Sequence, residues 1–373
     1  MSVYEGVSFD RQRKKSVSFG ALWYNCKMQL IKQSLRTGIG ILISAVFIYL
    51  AFRKVDLSLM LHSFSSANYW YLVPILFILF ASHYLRALRW RYFLDPVMRC
   101  STGSLFAALM VGYAANMVMP AHLGEIVRAH MLSRKRPVST GCAFATIVVE
   151  RIIDVFALLI LLAFSMMIHP FPKWVVASGY VMLGGAVFLF AALIFSKKNE
   201  QKTLKAVRFI MKPLPPRFSE RAALGVSLFL SGIAPLRRRM DYPVVGVLSV
   251  AIWVCYGLTF HLCLYAFNLV EAYNLVWYVA LVLLVITTIS VVVPSSPGYV
   301  GTFHYLCRLG LGLFGVPAAP ALSYAAVAHA VCFLPVFFVG LVLANCEGMS
   351  MRRPEVPAGE IEPVCEVVAQ KAP

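Results

Sequence analysis

The sequence predicts an all-α polytopic membrane protein, built as an inverted-topology repeat with two re-entrant hairpins. Three observations carry this reading. The 373 residues are 60% hydrophobic and 13% charged, against about 45–50% and about 25% in ordinary soluble domains. The apolar residues collect into runs of membrane-crossing length separated by basic loops. Two of those runs break at a proline and a glycine four residues apart, Pro120 with Gly124 and Pro297 with Gly301. The ten-residue alternating segments of a β-barrel are absent, and the mean hydropathy of +0.77 agrees.

A net charge of +18 raises nucleic acid as a partner. The basic residues, however, lie in the loops between spans, as the positive-inside rule expects, and no nucleic-acid recognition module is present. Anionic lipid headgroups are the natural counterpart of such loops. The nine cysteines show no CxxC pair and no metal-ligand spacing, so they read as small buried hydrophobes. No cofactor is implied.

Residues 1–35 read as a basic cytoplasmic tail, and the first apolar run comes too late for a signal peptide. Residues 36–345 form the membrane domain. Its first span is Gly38 to Phe52, and its second runs from Tyr69 to Leu88. Tyr69, Trp70 and Tyr71 make an interfacial belt at the start of the second span. Arg86, Arg89, Arg91 and Arg99 follow and place that end inside, with His83 and Arg86 near the inner interface. Ser104 to Met119 leads through Pro120 into a short helix carrying Glu125 and Arg128, then into Arg134, Lys135 and Arg136. A full crossing would put this second basic cluster outside, so the segment reads as a hairpin that leaves on the side it entered.

Gly141 to Ile168 is a long span, and Trp174 to Phe195 returns. The loop 197–242 is the longest polar stretch. Within it Leu204, Val207, Met211 and Leu214 recur at helical spacing among lysines and arginines, which describes an interfacial basic helix. Val244 to Asn268 crosses again. Leu275 to Val293 and the stretch PSSPGYVGTFHY form the second hairpin, and Ala319 to Ala344 closes the domain. Residues 346–373 are rich in proline and glutamate and read as a disordered cytoplasmic tail. The repeat halves are 36–168 and 174–345, in opposite orientation, with both termini cytoplasmic. Inverted repeats with broken helices are a transporter design.

The candidate site is the polar path enclosed by these hairpins. Glu125, Arg128, Glu150, Arg151 and Asp154 sit next to or inside apolar runs, where a charge costs about 2.5–3.5 kcal/mol on insertion scales. They should therefore face protein or water. On a helix Glu150 and Asp154 share a face, and Arg151 can pair with Asp154. Gly124 opens one hairpin helix. Ser296 fits an N-cap and Pro297 a first helical position in the other, followed by Gly298, Gly301, Thr302 and His304. Free amides at such starts favour phosphate. His329 stands at a distance from Gly301 similar to that of the charged triplet from Gly124. Arg308 either snorkels or lines the second hairpin. No P-loop, GxGxxG, HExxH or GxSxG pattern is present.

HLGEIVRAHML, VVERIIDVFALLILL and PSSPGYVGTFHY, in that order, resemble the lysylphosphatidylglycerol synthase transmembrane-region family. Its stand-alone members are also called flippase-like proteins. The resemblance covers roughly residues 36–345 and carries the family pattern onto Gly124, Glu125, Arg128, Glu150, Arg151, Asp154, Pro297, Gly298 and Gly301. The chain departs from that pattern at His122, where an arginine is expected, at Tyr299, where a second glycine is usual, and at His304, where a glutamate often sits. The fused members of the family move an aminoacylated phospholipid, and this chain lacks their cytosolic aminoacyl-transfer domain. The resemblance therefore implies the translocating half.

Residues and resemblance together describe a bacterial inner-membrane lipid translocase rather than an enzyme. Its partner would be an anionic phospholipid or polyprenyl-type lipid, with a separate enzyme supplying it. The alternatives are an embedded lipid-modifying transferase using Glu150 or Asp154 as base, and a non-transporting membrane scaffold.

Overall fold

The structure, a computed structural model, describes residues 45–346 apart from 47, 54, 120–121, 136–137, 172, 214–215, 234–235 and 293–296. The expectations for the N-terminal tail, most of the first span, Pro120, Ser296 and the tail after Cys346 fall outside those residues. Among the described residues every regular element is a helix. Among those residues four helices, Tyr69–Leu94, Val175–Lys198, Asp241–Ala266 and Ala318–Cys346, are long and apolar enough to cross a membrane.

Helix α1 (Leu57–Ser65) starts at Asp56, whose Oδ1 accepts the amides of Ser58 and Leu59 at 2.9 and 3.2 Å. This satisfies two of the orphan donors of a helix start. Helix α2 (Leu72–Leu94) follows a turn of 3-10 helix at Tyr69–Tyr71. It runs antiparallel to α9 (Asp241–Ala266), and the Asn68 amide, just ahead of that turn, donates to Ala266 O at 2.7 Å. Between them in sequence lie α3 (Thr102–Val118), α4 (Gly124–Lys135), α5 (Thr140–Ile168) and α6 (Lys173–Lys198). Ser101 caps α3 and Ser139 caps α5 through their hydroxyls.

The stretch expected as a polar loop with one surface helix holds two helices, α7 (Glu200–Ile210) and α8 (Pro216–Ser231). The second escapes a composition reading because basic residues flank it on both sides, Arg217 and Arg221 at its start and Arg237 to Arg239 beyond its end. Ala223 and Leu230 are nevertheless buried, and Gly232, just past its end, lies so close to Cys142 that an added Cβ would sit 2.3 Å from the Cys142 carbonyl. The chain closes with α10 (Leu269–Ala272), α11 (Val279–Val292), α12 (Thr302–Gly312) and α13 (Ala318–Cys346).

Helices α3 and α4 fold back on each other. A Cβ on Gly124 would lie 2.0 Å from Gly112 O, so two backbones touch there. Small residues at helix contacts permit this approach. Helices α11 and α12 form a second antiparallel pair, with Gly310 against Leu283 and Ile286. Helix α13 lies along α3, where Gly340 meets Met110 O.

The two broken turns meet. The Tyr299 hydroxyl and His122 Nδ1 are 3.3 Å apart, bridging 177 positions of sequence, and their rings lie 6.0 Å apart. Both residues hold left-handed backbone, φ 59° and 54°. That conformation costs a residue with a Cβ roughly 1–2 kcal/mol, a cost that the glycine expected at 299 from the resemblance would not carry. It also corrects the expectation that Pro297 opens a helix. Pro297–Tyr299 is one 3-10 turn, Gly298 and Gly301 follow positive φ of 71° and 90°, and the α-helix begins only at Thr302. Successive left-handed residues cannot continue a right-handed helix.

Arg308 reaches back to the chain ahead of α1. Its Nη1 donates to the carbonyls of Leu50 and Ala51 at 2.9 and 2.6 Å, and to that of Arg53 at 3.3 Å. It thereby closes the C-terminal end of the helical stretch before α1, where a cation offsets the orphan carbonyls. Arg308→Ala is expected to cost about 1.5–3 kcal/mol, the range for hydrogen bonds to a charged group. A lower thermal unfolding midpoint of the detergent-purified protein would register it.

Candidate functional site

Three helices bring seven ionised side chains together. Helix α2 contributes Arg86 and Arg89, α4 contributes Glu125 and Arg128, and α5 contributes Glu150, Arg151 and Asp154. Helix α9 adds two hydroxyls. Arg86 donates to Tyr256 Oη at 2.9 Å, and Arg89 to Ser249 Oγ at 3.0 Å.

Glu150 is fully buried and is the centre of the network. Its Oε1 accepts from Arg86 at 3.1 Å and from Arg89 at 3.4 Å, and its Oε2 accepts from Arg128 at 2.9 Å. Asp154, one helical turn further, accepts from Arg89 through Oδ1 at 2.6 Å and from Arg86 through Oδ2. The shared face expected for Glu150 and Asp154 is thus used to clamp two guanidiniums between them. Buried charge persists only with such pairing, since removing an ion from water costs several kcal/mol.

Arg151 lies at the rim, its side chain 36% exposed. It donates to Glu125 at 2.6 Å and pairs with Asp154 at 3.5 Å. Glu125 also stands 3.9 Å from Arg128. A single carboxylate thus lies between one accessible and one buried guanidinium. Arg128 is stacked over Trp90, 3.7 Å from the ring centroid, and Trp90 itself is held by a bond from Nε1 to Thr146. Arg128 spends only Nη2 on a hydrogen bond. Its Nε and Nη1 are buried without an acceptor, as is the Nε of Arg89. Four arginines face three carboxylates, so one positive charge is left over.

The amides at the hairpin turns are less available than the sequence suggests. Gly124 donates to Asn116 Oδ1 at 2.7 Å, and Glu125 and Ile126 donate to His122 and Leu123 carbonyls. Gly301 points its amide at His304 Nδ1, 3.4 Å away. Thr302 is buried, with its hydroxyl on Tyr299 O. His329 bonds Gly298 O at 2.7 Å through Nε2, and its ring lies 4.9 Å from that of His304 and 4.6 Å from Phe333. These residues brace the second turn, while in the ion network the buried guanidinium nitrogens of Arg89 and Arg128 are left without an acceptor. Tyr299 lies close enough to Arg151 and Glu125 to feel their charges, so the turn and the network are neighbours.

Sequence reasoning assigned Arg86 and Arg89 to the flank of a span and did not bring them into the site. The signal was present. Ser82, Arg86, Arg89 and Phe93 fall on one helical face, and all four are buried, whereas Arg91 and Arg99 are exposed.

The helices and the buried ionic network define an integral membrane protein with a charged interior. Residues 38–340 match the lysylphosphatidylglycerol synthase TM region family, and the chain belongs to that family. It is a multi-pass membrane protein. Among curated proteins it is 21% identical over 317 residues to a UPF0104 membrane protein of Methanocaldococcus jannaschii, covering 82% of this chain and 94% of that one. A UPF0104 membrane protein of Methanothermobacter thermautotrophicus is 22% identical, over 66% of this chain and 76% of its own length. The glycosyltransferase AglD of Haloferax volcanii is 27% identical over 66% of this chain, and the match spans only 44% of AglD. No solved structure matches significantly.

Proposed function

We propose that this protein carries an anionic, phosphate-bearing lipid between leaflets, its headgroup passing the ion network at Glu125, Arg128 and Arg151. The observation that carries this reading is Arg128, buried and stacked on Trp90 with two donors unfilled, inside a network of net positive charge. Unfilled donors on a buried cation are costly, and a phosphate oxygen is their strongest partner. Glu125 occupies the place between Arg128 and Arg151 that a phosphate would take. It acts as a resident anion that the headgroup displaces. Val118, Met119, Leu123, Ile126 and Val300 are exposed around the two turns, so acyl or polyprenyl chains can stay in lipid while the headgroup enters.

In this reading α3–α4 and α11–α12 are re-entrant hairpins from opposite faces, related by an inverted repeat, with their turns near the midplane. The protein sits in a bacterial inner membrane with both termini cytoplasmic, and another enzyme supplies its lipid. The embedded-transferase alternative needs a free base. Both Glu150 and Asp154 are engaged by two or more guanidiniums, which disfavours it.

The test is leaflet exchange of a fluorescent phosphatidylglycerol in proteoliposomes. Wild-type protein is expected to accelerate exchange. Arg151→Gln should slow it about tenfold with little change in stability, since a partly exposed pair contributes about 0–1 kcal/mol. Glu125→Gln should tighten headgroup binding by removing the competing anion. No acceleration by wild-type protein, or unchanged rates in both variants, contradicts the reading.

A further inference from the structure

A second charged site lies apart from the buried network. Arg91, Tyr92, Asp95 and Arg99 at the end of α2, with Arg237, Arg238 and Asp241 at the start of α9, line a pocket of about 330 Å³. That volume falls at the low end of the range for ligand pockets, about 300–1,000 Å³. Four guanidiniums here face two carboxylates. Neither Asp95 nor Asp241 is within 4.0 Å of any of them as an ion pair among the described residues. Asp241 is spent on the Arg238 amide, at 2.9 Å, and Asp95 Oδ1 is buried without a partner. Four guanidiniums against two carboxylates, neither ion-paired with an arginine among the described residues, leave the pocket with two surplus positive charges.

The pocket's position narrows the ligand. Tyr69–Leu94 and Asp241–Ala266, two helices of membrane-crossing length, both terminate at it. Helices of that length end near the level of the lipid phosphates when they cross a bilayer. Arginine forks match phosphate oxygens in pairs, and the N-terminal end of α9 adds a partial positive charge.

We infer that this arginine pocket binds a phosphate ester at the membrane surface. It is a site separate from the buried network and does not depend on translocation. The same chemistry would hold a lipid headgroup or a free phosphate.

The experiment is native mass spectrometry of the full-length chain in detergent, titrated with dioctanoyl phosphatidylglycerol, with dioctanoylglycerol as the uncharged probe, and with inorganic phosphate as competitor. Wild-type protein is expected to bind the phospholipid and not dioctanoylglycerol, with affinity falling about tenfold or more between about 0.05 and 0.5 M salt, because exposed charges are screened. The surface variant R91Q/R99Q/R237Q/R238Q should lose this salt-sensitive binding about tenfold or more. The charge-matched variant K197Q/K198Q/K202Q/K205Q should keep it. Displacement by inorganic phosphate at equal strength would assign the site to free phosphate, and resistance to it would assign a lipid headgroup. Either result supports the pocket. Equal loss in both variants, or loss in neither, overturns it. The network at Arg128 and Arg151 is intact in both variants, so failure here leaves the translocation reading standing, and the converse holds.

Discussion

Replacing Glu150 with leucine is expected to destabilise the protein by about 3–5 kcal/mol, the cost of leaving buried charge uncompensated. The size follows from the geometry. Glu150 is 0% exposed and is the acceptor for Arg86, Arg89 and Arg128 at once. Its loss leaves Arg86 and Arg89 sharing Asp154 alone, and leaves Arg128 with only the longer 3.9 Å pair to Glu125. Glu150→Gln keeps the shape and two acceptor lone pairs but not the charge, so it should fall between leucine and wild type. Thermal unfolding of detergent-purified protein, followed by size-exclusion profile, would rank the three. If leucine were as stable as wild type, the network would be a passive cluster that hydrophobic packing can replace.

Gly124→Val is expected to cost about 1–3 kcal/mol or more, as overpacking between rigid parts does, and to impair leaflet exchange as well. The atom its Cβ would strike is backbone, Gly112 O, and behind it stands Asn116, whose side chain holds the Gly124 amide. Neither can move without parting α3 from α4. That shift would also displace Glu125 and Arg128, so leaflet exchange should fall together with stability. Gly184→Ala, at a position with open space around it, is the matched control. It should be neutral or stabilising by up to about 1 kcal/mol, because alanine is the better helix former. A Gly124→Val protein with normal stability and exchange would mean that the two arms need not touch.

What the sequence made legible, and what it hid, separates by range. Local spacing placed Glu150 and Asp154 on one face and paired Arg151 with Asp154, and the structure has both relations. Composition and run length gave the helical membrane class. The breaks at Gly124 and Gly301 were visible because each glycine stands four residues after a proline, Pro120 and Pro297. The partners of the carboxylates were not visible, because Arg86 and Arg89 lie more than sixty positions away. Four arginines in a row of loop-flanking positions read alike until the helix face is drawn. The contact of His122 with Tyr299 had no local signal, and neither did the hydroxyls of Ser249 and Tyr256. Helix α8 was hidden by the basic residues around it, which make a buried amphipathic helix resemble a solvated loop.

An anionic headgroup is expected to reach Arg151 and Arg128 by taking the place of Glu125. Photocrosslinking with a phosphatidylglycerol carrying a reactive group on its head tests this most directly. Crosslinks are expected in the segments around Leu123–Arg128 and Glu150–Asp154, suppressed by excess unlabelled phosphatidylglycerol and weakened by Arg151→Gln. Crosslinks confined to the outward apolar faces of α2 and α6, around Phe77, Val181 and Phe188, would contradict it.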